Sequence, residues 1–279
     1  MEISKFVALC IEEDIKDGDH SALACIPPNE IDRGKLLVKA DGILAGVNVA
    51  KEIFKQFDPK AEIEVFIEDG AQVKYGDVAF HVKCNSIALL GAERLVLNVM
   101  QRMSAIATKT ADFVKAIGDL DTKVLDTRKT TPLIRFLEKE SVLIGGGVNH
   151  RMGLYDMVML KDNHIDFAGG IEKAITKTQD YLKSKGLNLK IEVETRNLDE
   201  VRQVLAVGGV HRIMLDNFSY DDMRTAVALI DGKYETEASG GVNLETVRAH
   251  AETGVDFVSV GALTHSVYNM DLSLKAIND

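Results

Sequence analysis

The spacing of apolar residues divides the chain into a mixed first part and a strongly repetitive second part. Up to about residue 104, the pattern predicts a short acidic helix followed by strand-like runs at Gly34–Ala40, Ala61–Ile67 and Val78–Cys84. Turn-forming pairs such as Asp69-Gly70 separate these runs. From Ser86 to about Ala116, apolar residues recur at helical spacing, which predicts a long helix that links the two parts.

The second part alternates apolar, β-branched runs with amphipathic helical segments. The predicted strands are Lys123–Lys129, Met157–Asn163, Lys190–Arg196, Arg212–Asn217, Tyr234–Gly241 and Asp256–Ser266. The predicted helices are Ile171–Lys185, Leu198–Val207, Tyr220–Ile230 and Leu244–Thr253. Such alternation implies βαβ units and a parallel sheet, either doubly wound or closed towards a barrel. Polar residues follow nearly every strand at its carboxyl end, where barrels carry their functional groups, so the pattern favours a (β/α) barrel.

Composition limits the classes of partner. The 279-residue chain has a net charge of −10, which argues against nucleic acids and anionic membranes. The acidic N-terminal residues lack the basic head and apolar core of a signal peptide, and no apolar run approaches the ~20 residues that span a bilayer. Cys10, Cys25 and Cys84 are far apart, as expected of reduced, buried thiols. We therefore expect a soluble cytoplasmic protein that binds neither nucleic acid nor membrane.

Basic side chains concentrate in one segment, Val124–Ile165, against this acidic balance. The segment contains Arg128, Lys129, Arg135, Lys139, His150, Arg151 and Lys161. Arginine can hold a carboxylate or phosphate through two hydrogen bonds, and lysine adds a flexible point charge. Arg135 and Lys139 lie on a predicted helix and are more simply surface charges, and His150 alone would more often be structural. The remaining cations indicate a site for a multiply anionic small molecule.

Glycine-containing loops follow the last two predicted strands. These loops are Ser239-Gly240-Gly241, which we expect to open a helix, and Gly261-Ala262. Glycine lets backbone N–H groups approach an anion closely, and barrels commonly bind a phosphate after their last two strands. One such glycine pair alone could be a tight turn, but two loops in this register favour a phosphate site.

Acidic residues lie at the ends of the intervening strands. Glu192 and Glu194 share one strand face, and Asp216 and Glu237 lie on the next two strands. Such carboxylates could hold magnesium, bind sugar hydroxyls, stabilise a cationic transition state or pair with the nearby cations. For Glu237 an ion pair is at least as good an interpretation. Arg102 lies on an otherwise apolar helix and requires an anion from a ligand, a carboxylate or a neighbouring subunit.

Together these motifs resemble the quinolinate phosphoribosyltransferase family, also called the carboxylating nicotinate-nucleotide pyrophosphorylases. They lie in the family's order over nearly the whole chain, and they are EDIKDGDH, LNVMQRMSAIAT, LDTRKTTP, GGGVNHRMGLYDMVMLKDNHI, IEVET, MLDN, EASGG and VGALTHS. The combination of LDTRKTTP, GGGVNHR and LKDNH is highly specific. Departures such as Leu133-Ile134, where many relatives have glycine, concern loop geometry and not the charges of the site.

The resemblance implies an α/β fold class with two domains. A small N-terminal α/β sandwich would occupy residues 1–108, with residues 267–279 packing back on it, and an open (β/α) barrel would occupy residues 109–266. It further implies a homodimer in which Arg102 reaches the neighbouring subunit's site. The implied reaction joins the nitrogen of quinolinate to C1′ of 5-phosphoribosyl 1-pyrophosphate, releases pyrophosphate and CO2, and gives nicotinate mononucleotide for de novo NAD biosynthesis.

The resemblance also implies a set of substrate-binding residues. They are Arg102, Thr127, Arg128, Lys129, His150, Arg151, Lys161, Glu194, Asp216, Ser239, Gly240, Gly241, Gly261 and Ala262. The implied catalytic residues within the set are Lys129, Lys161, Glu194 and Asp216, and the implied cofactor is Mg2+, held directly or indirectly by Glu194 and Asp216. Two alternatives stay open, namely a paralogue that uses nicotinate or a molybdenum-associated acceptor and a non-catalytic sensor of phosphoribosyl ligands.

Overall fold

The computed structural model describes residues 1–277 and divides into two compact units. Unit 1 comprises Met1–Ala111, Thr131–Gly146 and the chain from Ser266 onwards, and unit 2 comprises Asp112–Thr130 and Gly147–His265. Residues 278 and 279, the end of the segment expected to pack on the N-terminal domain, lie outside the described residues.

The order of helices and strands agrees with the predicted change from a mixed first part to a second part of alternating strands and helices. The elements are α1 (Ile3–Asp14), α2 (His20–Cys25), β1 (Ile31–Val38), β2 (Gly42–Ile43), α3 (Val47–Phe57), β3 (Glu62–Val65), β4 (Gln72–Val73), β5 (Val78–Asn85), α4 (Ser86–Ile117), β6 (Lys123–Leu125), α5 (Arg135–Ile144), β7 (Met157–Leu160), α6 (Asp162–Ala168), α7 (Ile171–Lys185), β8 (Lys190–Thr195), α8 (Leu198–Val207), β9 (Arg212–Asp216), α9 (Tyr220–Ile230), β10 (Glu235–Ser239), α10 (Val247–Ala251), β11 (Phe257–Ser259), α11 (Ala262–His265) and β12 (Leu272–Ala276). In residues 1–277, no helix is both long and apolar enough to cross a bilayer.

Unit 1 contains a four-stranded antiparallel sheet in the order β12-β1-β5-β3. Leu36 of β1 lies opposite Phe80 of β5 on one side and Leu274 of β12 on the other. Phe80 meets Phe54 of the amphipathic helix α3 edge to face, with ring centroids 6.1 Å apart. Both rings are buried, and burying an aromatic ring of this size stabilises a fold by roughly 1.5–3 kcal/mol. The last described strand therefore completes a sheet that begins near residue 31.

The segment 131–146 belongs to unit 1, although we predicted it within the barrel domain. Its helix α5 buries Leu137, Glu138, Lys139, Ser141 and Val142, which cover more than one face. Lys139 is 0% exposed, so the prediction that it is a surface charge was wrong. A charged side chain is buried only where the fold places a partner next to it. The spacing of apolar residues does not identify that partner.

Unit 2 contains six parallel strands in the order β6-β11-β10-β9-β8-β7. Its first strand pairs with its last, and every other pairing joins strands that are consecutive in sequence. This cyclic order is that of a barrel, because a doubly wound sheet reverses its order in the middle. Strands β6 and β7 are the edges, and one isolated bridge joins Leu125 of β6 to Val148 in the loop that precedes β7. The predicted open α/β barrel is thereby confirmed.

The three cysteines are free thiols in different surroundings. Cys84 is buried, and burial raises the pKa of its thiol to about 11. Cys10 is half-buried, and Cys25 is exposed on α2, so the expectation of buried cysteines was wrong for Cys25.

Gly145 explains part of the triple glycine that follows α5. A Cβ at this position would lie 2.3 Å from the carbonyl oxygen of Ala107 and 2.7 Å from Cβ of Thr110, both on α4. Real Cβ atoms do not approach backbone so closely, so only glycine permits this contact inside unit 1. The neighbouring Gly146 adopts φ +86°, a left-handed conformation that also favours glycine.

The substitution Gly145→Ala should lower the free energy of unfolding by about 1–3 kcal/mol, because α4 and the end of α5 must separate to admit the methyl group. Urea denaturation followed by circular dichroism measures this change. Leu143→Ala on the same helix is the control, since Leu143 is 52% exposed and its truncation removes little buried surface. A Gly145→Ala variant as stable as the wild type would contradict the packing role.

Candidate anion-binding site at the carboxyl edge of the barrel

The carboxyl ends of the unit 2 strands surround a cavity of about 610 Å3. Its lining includes these predicted site residues: Thr127, Arg128, Lys129, His150, Arg151, Lys161, Glu194, Asp216 and Ser239. Residues from distant parts of the chain meet here because parallel strands place all their carboxyl ends at one edge. Asp162, Asn163, Glu237, Ser259 and two methionines, Met159 and Met214, complete the lining.

Two arginines concentrate positive charge on one side of this cavity. Burial and the nearby guanidinium of Arg128 lower the pKa of Arg151. The side chain of Arg151 is oriented by a hydrogen bond from Nη1 to the carbonyl oxygen of Met157, at 3.2 Å. Two like charges held this close favour an anion between them.

Lys129 is held in place by backbone contacts. Its N–H donates to Oγ1 of Thr127 at 3.0 Å, and its carbonyl oxygen accepts from Oγ1 of the fully buried Thr264 at 2.8 Å. A Cβ at Gly261 would lie 2.9 Å from Cδ of Lys129, so this glycine leaves room for the lysine side chain. Thr264 was not predicted; it lies in the VGALTHS motif, but a threonine on a short helix gives no signal of such a role.

The acidic side of the cavity is formed by Glu194 and Asp216. Nζ of Lys161 lies 3.1 Å from Oε2 of Glu194, and Asp216 accepts a hydrogen bond from Nδ2 of Asn217 at 2.8 Å. Both carboxylates line the cavity. Mg2+ prefers oxygen ligands and is commonly held by one or two carboxylates together with substrate phosphates. The donor set therefore fits a magnesium ion that enters with a phosphorylated substrate.

The glycine loops lie at the same edge but present backbone and not side chains. Gly240 and Gly241 have φ values of +109° and +61°. A Cβ at Gly240 would lie 2.2 Å from Oδ1 of Asn217, which excludes any other residue without a shift. We expected this loop to open a helix, but α10 begins only at Val247, because both glycines turn the chain through left-handed conformations first. Ala262 begins the short helix α11.

Below the cavity, the barrel interior contains a buried cluster of charged side chains. We call it the His150 cluster, and it consists of the buried His150, Glu192 and Glu237, the mostly buried Arg212, and Glu235, whose side chain is 38% exposed at the edge of the cluster. Nε2 of His150 lies 2.9 Å from Oε2 of Glu192 and 3.4 Å from Oε2 of Glu237. Arg212 forms ion pairs of 2.9 Å with both Glu237 and Glu235. The interpretation of Glu237 as an ion-pair partner is confirmed.

Ionisation in this cluster is strongly perturbed. Burial alone would lower the pKa of His150, but the carboxylates of Glu192 and Glu237 more than offset it and raise that pKa to about 9. The backbone N–H of Arg151 acts in the opposite sense, because it lies 2.6 Å from Nδ1 and favours an unprotonated nitrogen there. Nδ1 therefore accepts from Arg151, and the ring proton lies on Nε2, where it faces the two carboxylates. Burial and the neighbouring Glu237 raise the pKa of Glu192 to about 7.

The same residues are the candidate metal ligands that geometry singles out. Among residues 1–277, His150, Glu192 and Glu237 offer ligand atoms that lie within 4.8 Å of one another. An imidazole with carboxylates suits a transition metal better than Mg2+. Arg212 and His150 already supply positive charge to both carboxylates, so we regard the cluster as an ion network and not as the magnesium site.

Arg102 is the one predicted site residue that belongs to unit 1. Its Nε and Nη2 atoms donate to Oε1 of Glu138, at 2.9 and 2.7 Å. Glu138 is 1% exposed, and its other oxygen accepts from the N–H of Thr131 at 3.0 Å. The side chain of Arg102 remains 26% exposed and lines a cavity of about 510 Å3 within unit 1. One of the three partners expected for Arg102, a carboxylate, is therefore supplied by the chain itself, and the sequence did not identify it as Glu138.

The fold and the site define an α/β-barrel protein that binds multiply anionic small molecules at the carboxyl edge of its strands. Two family models match the chain, the N-terminal domain of quinolinate phosphoribosyl transferase over residues 19–104 and its C-terminal domain over residues 106–275. The chain belongs to the quinolinate phosphoribosyltransferase family.

Individual relatives are similar over nearly the whole chain. Quinolinate phosphoribosyltransferase [decarboxylating] 2b, mitochondrial, from Nicotiana tabacum is 44% identical, covering 98% of this chain and 82% of the relative. The probable nicotinate-nucleotide pyrophosphorylase [carboxylating] from Bacillus subtilis is 38% identical, covering 98% and 93%. The solved structure of the nicotinate-nucleotide pyrophosphorylase from Francisella tularensis superposes with a TM-score of 0.92 at 39% identity, covering 99% of this chain and 96% of that one.

Replacement of Thr264 by valine should weaken the binding of phosphorylated ligands about two- to tenfold, since one lost hydrogen bond frees the backbone of Lys129. Titration of the protein with 5-phosphoribosyl 1-pyrophosphate by calorimetry measures the change. Thr225→Val on the exposed side of α9 removes a threonine hydroxyl away from the cavity and is the matched control. Unchanged affinity in Thr264→Val would show that Lys129 does not depend on this contact.

Proposed function

We propose that the protein transfers the phosphoribosyl group of 5-phosphoribosyl 1-pyrophosphate to quinolinate, with loss of CO2, and forms nicotinate mononucleotide. The observation that carries this proposal is one cavity lined both by two neighbouring arginines, Arg128 and Arg151, and by two carboxylates, Glu194 and Asp216. A planar dicarboxylate matches the arginine side, and a phosphorylated sugar matches the carboxylate side together with the glycine loops that follow β10 and β11. Membership of the family supports the same substrates.

The arginine side discriminates between possible acceptors. Quinolinate has two neighbouring carboxylates, and Arg128 and Arg151 with Lys161 offer enough cations for both. Nicotinate has a single carboxylate and would leave one guanidinium without a counter-charge. This favours quinolinate over the nicotinate and molybdenum-associated alternatives.

On the other side, we assign one part of the phosphorylated substrate to each group of residues. Glu194 and Asp216 face the ribose, Lys129 and Lys161 face the pyrophosphate, and Thr127 supports the loop of Lys129. The 5′-phosphate would be bound by the backbone of Ser239, Gly240, Gly241, Gly261 and Ala262. Glycines at these positions allow that close approach.

The chemistry needs no covalent nucleophile. The quinolinate nitrogen bonds to C1′ while the bond from C1′ to the pyrophosphate oxygen breaks, and Lys129 and Lys161 stabilise the charge on the leaving group. Glu194 and Asp216 stabilise the cationic character that develops at C1′. When bound at these carboxylates, directly or through water, Mg2+ would add positive charge beside the pyrophosphate.

Decarboxylation follows from the product of the first step. Once the ring nitrogen is alkylated it is positive, and it stabilises the electron pair left at C2 when the bond to the carboxylate breaks. A proton from solvent then completes nicotinate mononucleotide. The protein has only to hold the carboxylate in a desolvated position, and the cavity's arginines do so locally although the whole chain carries a charge of −10.

We also propose a homodimer in which Arg102 enters the neighbouring subunit's cavity. Its partly exposed guanidinium, held rigid by Glu138, supports this, because an arginine oriented in advance loses little entropy on binding. A cytoplasmic location stays a prediction.

The decisive test is the release of labelled CO2 from quinolinate in the presence of 5-phosphoribosyl 1-pyrophosphate and Mg2+. We expect release to require both additions and nicotinate to be a far poorer acceptor. A preference for nicotinate would instead indicate a paralogue with another acceptor. Tight ligand binding without pyrophosphate release would indicate a non-catalytic sensor of phosphoribosyl ligands.

The substitution Arg128→Ala should weaken quinolinate binding by about ten- to 150-fold, because a charge-assisted pair contributes roughly 1.5–3 kcal/mol and Arg151 alone does not replace it. Thermal unfolding should change little, since Arg128 is not buried in the core. Calorimetric titration with quinolinate measures the loss. Normal Michaelis behaviour in this variant would refute the assignment.

The shared site is tested by mixing two inactive variants, Arg102→Ala and Arg128→Ala. If Arg102 acts in the neighbour's site, random exchange of subunits should restore about a quarter of wild-type activity, because half the dimers are mixed and each has one intact site. No recovery after exchange, demonstrated by differently tagged subunits, would place Arg102 and Arg128 in the same chain's site.

A further inference from the structure

We propose that Glu192 and Glu237 are positioning residues that act through His150: they hold its ring in the floor of the cavity with both nitrogens turned to protein groups, and thereby fix the adjoining Arg151 for the substrate. In this arrangement neither ring nitrogen binds quinolinate, which differs from the direct contact implied by the family resemblance. The proposal rests on the proposed function, since the substrate is the one assigned there.

The first support is the orientation of the His150 ring. Nδ1 lies 2.6 Å from the backbone nitrogen of Arg151, and Nε2 lies 2.9 Å from Glu192 and 3.4 Å from Glu237. The side chain of His150 is 5% exposed. A carboxylate that enters the cavity therefore finds both nitrogens already facing protein atoms.

The second support is that Glu237 is itself fixed from below by Arg212, while Glu192 lies next to the same arginine. Glu237 is held by Nη1 of Arg212 at 2.9 Å, and the guanidinium of Arg212 stacks 4.0 Å above the ring of Phe257. Glu192 lies beside Arg212 in the backbone register of strands β8 and β9, and the charge of Arg212 favours the ionised form of Glu192 by lowering its pKa against the effect of burial. Glu192 and Glu237 are both 0% exposed. The contacts thus run from the rigid strands to His150 without passing through solvent.

The balance of charge in the cluster favours this network. Its carboxylates are Glu192, Glu235 and Glu237, and its cations are Arg212 and, when protonated, His150, while Lys190 outside the cluster has its Nζ 3.7 Å from Glu235. Removing the charge of one glutamate leaves His150 with a weaker hold on that side. The imidazole ring of His150 can then rotate, whereas in the wild type the two glutamates restrain it.

Stability does not explain so many charges in a barrel core. Barrel interiors are usually filled by branched apolar side chains, and buried ion pairs are often no more stable than apolar residues of the same volume. The cluster lies directly beneath the cavity, with Glu237 and His150 both in its lining. A function in the site explains why the His150 cluster is present although burying its charges costs stability.

The effect of His150 reaches the substrate through the chain itself. Its backbone N–H donates to Oδ1 of the buried Asp126 at 2.8 Å, so the loop is fixed on its backbone side as well as through the ring. Arg151 follows directly and donates from Nη1 to the carbonyl oxygen of Met157. Loss of the ring contacts would therefore displace Arg151 more than the phosphate side of the cavity.

The test uses the isosteric substitutions Glu192→Gln and Glu237→Gln in the full-length protein, measured by steady-state CO2 release. Each should raise KM for quinolinate at least about tenfold, while kcat and KM for 5-phosphoribosyl 1-pyrophosphate change by less than about threefold. Glu172→Gln, at an exposed glutamate on the outer helix α7, is the matched control and should behave as wild type. Equal increases in both KM values would indicate a general structural defect and overturn the proposal.

A double-mutant cycle separates action through His150 from independent action. In a His150→Ala background, Glu192→Gln should change KM for quinolinate by less than about twofold, because the ring through which it acts is gone. Multiplying effects in the double variant would overturn the proposal. If the wild type itself released no CO2 from quinolinate, the proposed function would fail before any variant was compared.

A measurement on the wild type covers the case in which a variant does not fold. With 15N-labelled histidine, the ring nitrogens of His150 are assigned by their loss in His150→Asn. Saturating quinolinate should leave both nitrogen resonances nearly in place, since neither contacts the substrate. A large shift of either nitrogen would show direct binding and overturn the proposal.

Discussion

Parallel hydrogen bonding between six strands is the constraint on which the rest of this structure depends. It brings the ends of β6 to β11 to one edge, so that charges separated by more than a hundred residues line a single cavity. The cyclic order of the strands gives that edge a concave shape. Without this arrangement of strands, the basic side chains of an acidic chain would not be gathered in one cavity.

The cavity depends in turn on charges that lie beneath it. A barrel of this kind is usually packed with apolar side chains, yet here Arg212 and two glutamates occupy the interior below His150. Surface cations alone would be mobile and screened by salt. Residues anchored on buried partners keep their geometry: Thr264 holds the backbone carbonyl of Lys129, and Glu138 holds the side chain of Arg102.

The sequence predicted the architecture and most of the cavity lining because both follow from local patterns. Apolar periodicity located the strands of the barrel, and polar residues at their ends marked Lys161, Glu194 and Asp216. It did not predict burial of Lys139, the contact of Thr264 or the pairing of Arg102 with Glu138, since each depends on residues far apart in the chain. The helix predicted over Leu244–Thr253 is shorter in the structure and begins at Val247, after a loop in which Gly240 and Gly241 adopt left-handed conformations.

The make-up of unit 1 has a consequence for how the protein is synthesised. Its sheet contains β12, which ends at Ala276, and its helix α5 comes from the interval between the first two barrel strands. Translation therefore produces the barrel strands before the last strand of the N-terminal sheet exists. Until Leu272–Ala276 leaves the ribosome, β1 pairs only with β5 and has one unpaired edge, so the sheet of unit 1 is completed after the barrel strands have been made.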